Sequence, residues 1–243
     1  MSATRAEIAV VAVAELFRGD GEIVASPMGL IPQLGAKLAR STFEPDLLMS
    51  DGEAYLLTPD GVVEGWQPFR KMLDTIVPHG RRHVVMGANQ IDRYGNQNIS
   101  AIGDHARPKK QLLGVRGAPG NTVNHRTSYW VPRHSARVFV DSVDVVSGVG
   151  YDNAAKAGPS AEKYHDVHRV VSNLGVFDFG GPDHAMRAVS LHPGVTREEV
   201  VAATTFAIDF TGAGTSREPT GDELRLIREV LDPEHLRDRE VPA

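Results

Sequence analysis

The sequence predicts an α/β fold: an open, mostly parallel sheet flanked by helices, in a single domain over 1–243. Three observations carry that reading. Short apolar runs alternate with segments of helical spacing, the signature of strand–helix crossovers. The early runs end in turn-forming clusters of Gly, Ser, Asn and Asp. The chain is 243 residues long with 41% apolar and 23% charged residues, ordinary globular composition that fills a core without disulfide or metal staples.

Residues 4–18 have helical spacing and stop at Gly19, a C-capping glycine. Glu22–Ala25 reads as a strand, Ser26–Gly29 as a turn, and Leu30–Ala39 as a helix that tolerates Pro32 in its first turn. Asp46–Met49 is a buried strand followed by the turn Ser50-Asp51-Gly52. Phe69–Val77 reads as a helix and His83–Met86 as a strand leading into Gly87-Ala88-Asn89-Gln90. Residues 94–122 are then rich in Gly, Asn and Pro, so a long loop region is expected around 94–135; after a strand, such a loop is where open α/β sheets place ligands. Ala136–Asp141, Arg169–Phe179 and Ala185–Leu191 read as strands. Thr196-x-x-Glu199 and Thr220-x-x-Glu223 are capping boxes; the first opens a helix to about Ala203 and the second opens the last helix. The charged tail from Pro233 is expected to fray or to dock on a neighbour.

Composition excludes several classes. The net charge is −5, without the basic excess of a nucleic-acid binder; the densest basic runs, Arg81-Arg82-His83 and Lys109-Lys110, read as solvated surface. There is no cysteine, which removes thiol catalysis, disulfides and Cys-based zinc sites. The apolar run Ile8–Ala14 lies between Glu7 and Glu15 and is far short of the roughly 20 residues a span needs. A cytoplasmic protein without a membrane segment is expected. No G-x-G-x-x-G follows the first strand and no P-loop lysine motif occurs. His165-x-x-His168, and His125 with His134, lack metal-ligand spacing, so no metal is expected. Ser135, Ser172 and Ser190 lack a nucleophile-elbow context.

Three turns remain as candidate chemistry: Ser50–Glu53, Gly87–Gln90 with Tyr94-Gly95-Asn96, and Gly114–Asn121. Glycines let a backbone approach a ligand and aim N–H groups at it, although each of these, taken singly, reads first as an ordinary turn. Asp51 and Glu53 stand beside a strand end, either as nucleophile or base or as solvated turn acids.

The order of these segments resembles the β subunit of class I CoA transferases, over roughly residues 22–210. The resemblance rests on Gly29-Leu-Ile-Pro-Gln-Leu-Gly-Ala-Lys-Leu38, Gly87-Ala-Asn-Gln-Ile-Asp-Arg-Tyr-Gly95, the Gly117-Ala118 turn, Leu191-His-Pro-Gly-Val-Thr196 and Ala203-Thr-Thr-Phe206. The transferases carry Ser-Glu-Asn-Gly after the second strand, whose Glu forms the covalent thioester; here Ser50-Asp51-Gly52-Glu53 departs from it. That departure is more similar to the branch of two-subunit actinobacterial hydrolases that open the last steroid rings as CoA thioesters. The resemblance then implies a β subunit in a hetero-oligomer, α2β2, with the catalytic carboxylate on the α subunit. Its reaction is attack of water on a ring ketone and retro-Claisen C–C cleavage in an acyl-CoA, with CoA as part of the substrate and no other cofactor. Asn89 and Gln90, with the backbone N–H groups of Gly117 and Ala118, are the implied carbonyl or CoA contacts. Asn96 belongs with the substrate-binding group, and Arg93, Arg116 and Arg126 are candidates for CoA phosphates or a substrate carboxylate. Two alternatives stay open: a CoA transferase that uses Asp51 or Glu53, and a non-catalytic acyl-CoA-binding subunit.

Overall fold

The computed structural model describes residues 2–51, 55–58, 60–66, 68 and 81–241. The chain divides into two compact units, Met1–Met86 with Ser216–Ala243, and Gly87–Thr215.

The first unit begins with α1 (Arg5–Ala14), continued by a 3₁₀ turn at Glu15–Phe17. Thr4 caps it: its hydroxyl accepts from the Glu7 N–H and the Glu7 carboxylate accepts from the Thr4 N–H. Gly19 has φ +79, as its capping role requires. Strand β1 is Val24–Pro27 and helix α2 Leu30–Thr42. The strand outlasts its expected end at Ala25, because Ser26 and Pro27 still pair with the fifth strand. α1 lies against α2 closely enough that a Cβ on Gly35 would stand 2.5 Å from Val13 Cγ1.

Next come β2 (Leu48–Ser50), β3 (Tyr55–Leu57), β4 (Val63–Trp66) and β5 (Arg82–Gly87). Within the unit the order is β5-β1-β2-β3-β4. β5, β1 and β2 are parallel, and β3 and β4 extend them as antiparallel hairpins. The helix expected at Phe69–Val77 lies outside the described residues.

The tail is anchored within its own unit. The second capping box opens a helix at Gly221–Arg225 that runs into a π-helical turn, Leu226–Leu231. Beyond it, Arg237 is 1% exposed and bonds the carboxylates of Glu7 and Asp232, both at 2.9 Å. The tail does not fray: a buried guanidinium between two carboxylates of the same chain holds it.

The second unit opens with two short antiparallel ribbons, β6 (Gln90–Ile91) with β7 (Gln97–Asn98), and β8 (Ala101–Ile102) with β9 (Lys110–Gln111). Then follow α3 (Ala118–Asn124), β10 (Arg126–Val131), α4 (Tyr151–Ala157), β11 (Asp166–Ser172), β12 (Gly175–Asp178), β13 (Arg187–Leu191), α5 (Arg197–Ala202) and β14 (Gly214–Thr215). The order is β14-β13-β12-β11-β10, with β10∥β11 and β13∥β14 and antiparallel pairs between.

Three expectations are corrected here. The loop region around 94–135 contains α3 and β10; Thr127–Val131 is buried at every position, so the strand shows no alternation to read. Ala136–Asp141 is a turn with one isolated bridge, Phe139 to Ile91. Arg169–Phe179 folds back at Asn173-Leu174 into two antiparallel strands.

Candidate functional site

The Gly87–Asn98 segment is built on buried amides. At its far end, Asp92 accepts from the N–H groups of Tyr94 and Asn96, both at 3.0 Å, and from Asn96 Nδ2 at 2.9 Å. Burial raises the Asp92 carboxyl above the usual range, and these bonds oppose it. Gly95 turns the chain with φ +85, and a Cβ there would stand 2.8 Å from Phe179 Cζ. Asn96 is 2% exposed and also donates to Asp152 Oδ1 (2.7 Å), while its Oδ1 accepts from the Gly150 N–H (2.7 Å) and Asn153 Nδ2 (2.9 Å). Every polar atom of its side chain points into the protein. Expected as a ligand contact, Asn96 has its side chain held by four internal partners.

Gln90 has the same character. It is 7% exposed, donates to Asp144 Oδ2 at 3.0 Å, and accepts from Asn98 Nδ2 (2.7 Å) and the Asp144 N–H (3.0 Å). Asn98 Nδ2 donates also to the Ala101 carbonyl, and Gln97 Nε2 to the Gly87 carbonyl. Asn89 is the exposed member, and its N–H donates to the Asn98 carbonyl at 3.0 Å. The structure thus places Asn89, Gln90 and Asn96 on one segment with distinct parts: Asn89 is exposed, while Gln90, with Asn98 and Asp144, and Asn96, with Asp92 and Asp152, hold it through two separate sets of hydrogen bonds. Asp92, Asn98 and Asp144 were missed from sequence, although Asp92-x-x-Gly95-Asn96 carries a hairpin-turn signal.

Gly117 caps α3 with φ −86 and ψ 0, angles open to any residue, and its carbonyl accepts from the Asn121 N–H. The Ala118 N–H, expected to face a substrate carbonyl, donates to the Val115 carbonyl at 3.0 Å; the turn that starts the helix consumes it. Arg116 is exposed at φ +46, uncommon outside glycine. Arg93 is half-buried, with Nη2 3.8 Å from Asp141 Oδ1. Arg126 lies at the N-terminal start of β10 and bonds Asp166 at 2.8 Å, at the opposite end of its strand from the loops where such sheets hold ligands.

In the first unit, Asp51 follows β2. Its N–H donates to the Tyr55 carbonyl (3.1 Å) and its Oδ1 accepts from the Tyr55 N–H (3.0 Å), so it closes the β2–β3 hairpin. Glu53 lies outside the described residues. Behind this strand end, Arg82 Nε donates to Ser26 Oγ (2.8 Å), which meets Ser50 Oγ at 3.0 Å; burial lowers Arg82 to about 10.

At the C-terminal end of β10, His134 is 8% exposed and stacked on Phe139 at 3.6 Å. The Thr204 hydroxyl donates its proton to the Val200 carbonyl, so its 2.9 Å contact with His134 Nε2 has the imidazole donating. Nδ1 therefore accepts from Ser172 Oγ at 3.0 Å. Burial lowers His134 to about 3, and the neutral ring joins the β11–β12 turn to the residues after α5. Among the described residues no group of three or more His, Asp or Glu is placed to hold a metal ion, and no helix is long and apolar enough to cross a membrane.

Parallel strands β5, β1 and β2, whose C-terminal ends lead into turns, define an α/β sheet of the kind found in enzymes. The family model for Coenzyme A transferase matches residues 76–203. The chain belongs to the Coenzyme A transferase family. It is 61% identical to the cholesterol ring-cleaving hydrolase IpdB subunit of Rhodococcus jostii (strain RHA1), over 98% of this chain and 96% of that one. It is 60% identical to the IpdB subunit of Mycobacterium tuberculosis (strain ATCC 25618 / H37Rv), over 98% of each. The crystal structure of Rhodococcus jostii RHA1 IpdAB superposes with a TM-score of 0.94 at 59% identity, over 100% of each chain.

Proposed function

We propose that this chain is the β-type subunit of a cytoplasmic two-subunit hydrolase that opens a ring in a steroid-derived cyclic keto acyl-CoA. The observation that carries the reading is the 61% identity, over nearly the whole chain, to a cholesterol ring-cleaving hydrolase subunit. Asp51 supports it: a side chain one methylene shorter than the transferase glutamate, tied back to Tyr55, is poorly placed to form a thioester, since about 1 Å of misplacement costs on the order of 100-fold.

In the reaction, water activated by a base on the α-type partner adds to the ring ketone. The C–C bond on the β-keto side then breaks, its electron pair is protonated, and the oxygen of water ends in a new carboxylate. This chain contributes the outward Asn89 and its rigid mount, preorganised without rearrangement at the moment of reaction. CoA enters as part of the substrate, and the chemistry calls for no other cofactor. The test is to assemble the chain with its partner in oxygen-18 water. A CoA thioester that gains one water, with the label in the new carboxylate, fits the proposal. Unlabelled transfer of CoA to a free acid, with enzyme thioester on Asp51 or Glu53, makes the chain a transferase subunit instead.

A further inference from the structure

The densest basic run outside the first unit, Lys109-Lys110, has more structure around it than a solvated surface requires. Residues 103–117 hold Arg107, Lys109, Lys110 and Arg116 against one carboxylate, Asp104, in a chain whose net charge is −5. All four cations are exposed. Among the described residues Arg107, Lys109 and Lys110 have no ion-pair partner, and Asp104 is turned inward on its own loop, accepting from the Ala106 N–H at 2.9 Å.

The mount beneath them is rigid. The Lys109 N–H donates to the Ile102 carbonyl (2.8 Å) and the Leu112 N–H to the Ser100 carbonyl (2.9 Å). The Lys109 stem lies over Gly103, where a Cβ would stand 3.2 Å from its Cγ. The Gly103 N–H donates to Asp144 Oδ2, which also accepts from Gln90 Nε2. The basic ribbon is therefore bolted to the amides that carry Asn89. Leu113 and Val115, 72% and 43% exposed, lie in sequence between Lys110 and Arg116. Cations grouped without counter-ions cost self-repulsion, and apolar side chains left in water gain nothing from folding; a ligand with phosphates at one end and an apolar or stacking surface beside them answers both.

We propose that the β8–β9 ribbon, through Arg107, Lys109 and Lys110 with Leu113 and Val115 beside them, holds the nucleotide end of the CoA thioester: cations on its pyrophosphate and 3′-phosphate, aliphatic side chains against the adjoining organic part. This rests on the reading of the chain as a CoA-thioester enzyme. The test is titration calorimetry on the assembled complex with two probes, CoA and pantetheine, which lacks the nucleotide. Arg107→Gln/Lys109→Gln/Lys110→Gln weakens CoA about tenfold or more at low ionic strength and leaves pantetheine where it was; wild-type affinity for CoA, but not for pantetheine, falls with added salt. Arg225→Gln, which removes an equally exposed charge from the first unit, leaves CoA binding intact. Unchanged CoA binding in the triple variant overturns the proposal, as does an equal loss of both probes. Salt-independent CoA binding by the wild type overturns it without reference to any variant. Wild-type complex that binds neither probe overturns the CoA-thioester reading itself, and this inference with it.

Discussion

Replacing Asn96 separates a scaffold residue from a ligand contact. Its side chain makes four internal hydrogen bonds, two of them to the carboxylates of Asp92 and Asp152. A neutral bond contributes about 1 kcal/mol and one to a charged group about 1.5–3 kcal/mol. Because the four share neighbours they do not add fully, and Asn96→Ala is expected to cost about 3–5 kcal/mol. At about 2–4 °C per kcal/mol for a chain of this size, the thermal midpoint drops by roughly 6–20 °C. CoA affinity, measured well below the onset of unfolding, is expected to hold. Asn96→Asp sharpens the test by setting a third carboxylate against two others. Its folded pKa is raised, so the added charge repulsion is absent below the ordinary carboxylate pKa of about 4 and costs stability as pH rises above it. The deficit relative to wild type is therefore smaller at pH 5 than at pH 7. Unchanged midpoints together with lost CoA binding would refute the reasoning and return Asn96 to the substrate.

The remaining predictions concern other parts of the chain. His134, held neutral by burial down to about pH 3, makes acid destabilising: once pH falls below about 6.5 the unfolded chain takes up the proton first, at about 1.4 kcal/mol per pH unit. The stability gap between wild type and His134→Gln should shrink from pH 7 to pH 5 in urea titrations, and a constant gap contradicts the assignment. Asp51→Ala removes the 3.0 Å bond that closes the β2–β3 hairpin; a loss of about 1 kcal/mol with most turnover kept is expected, and acyl label trapped on Asp51 would reverse that. A Cβ on Gly150 would meet Asn96 N at 2.4 Å and Tyr94 O at 2.5 Å, so Gly150→Ala forces backbone apart at a cost of about 1–3 kcal/mol, readable as a lower urea midpoint at unchanged m.

The elements legible in the sequence are those with local signals. Thr196 and Thr220 cap their helices as the spacing says, and the run ending at Met86 is a parallel strand. β10 was hidden because burial on both faces erases the alternation that announces a strand, and α3 because Gly117, Pro119 and Gly120 read as loop. Site residues divide the same way. Asn89, Gln90 and Asn96 were picked by type, but an amide facing a ligand and an amide facing Asp92 look alike in a sequence; only the partners tell them apart. Asp144 pairs with Gln90 across 54 positions, a separation no local motif spans.

The first unit is sewn from the two ends of the sequence. Glu7 sits fully buried in α1. Burial pushes its carboxyl up, yet bonds from Arg228, the Thr4 backbone and Arg237 bring it down to about 2. Those arginines lie 221 and 230 positions later in the chain. On a ribosome the helix is made first and its counter-ions last, with the whole second unit emerging in between. An unpartnered buried carboxylate is costly, so the burial of α1 is complete only with Arg228 and Arg237 in place. Without Arg237 the buried Glu7 carboxylate keeps Arg228 and the Thr4 backbone as partners but loses its one fully buried cation.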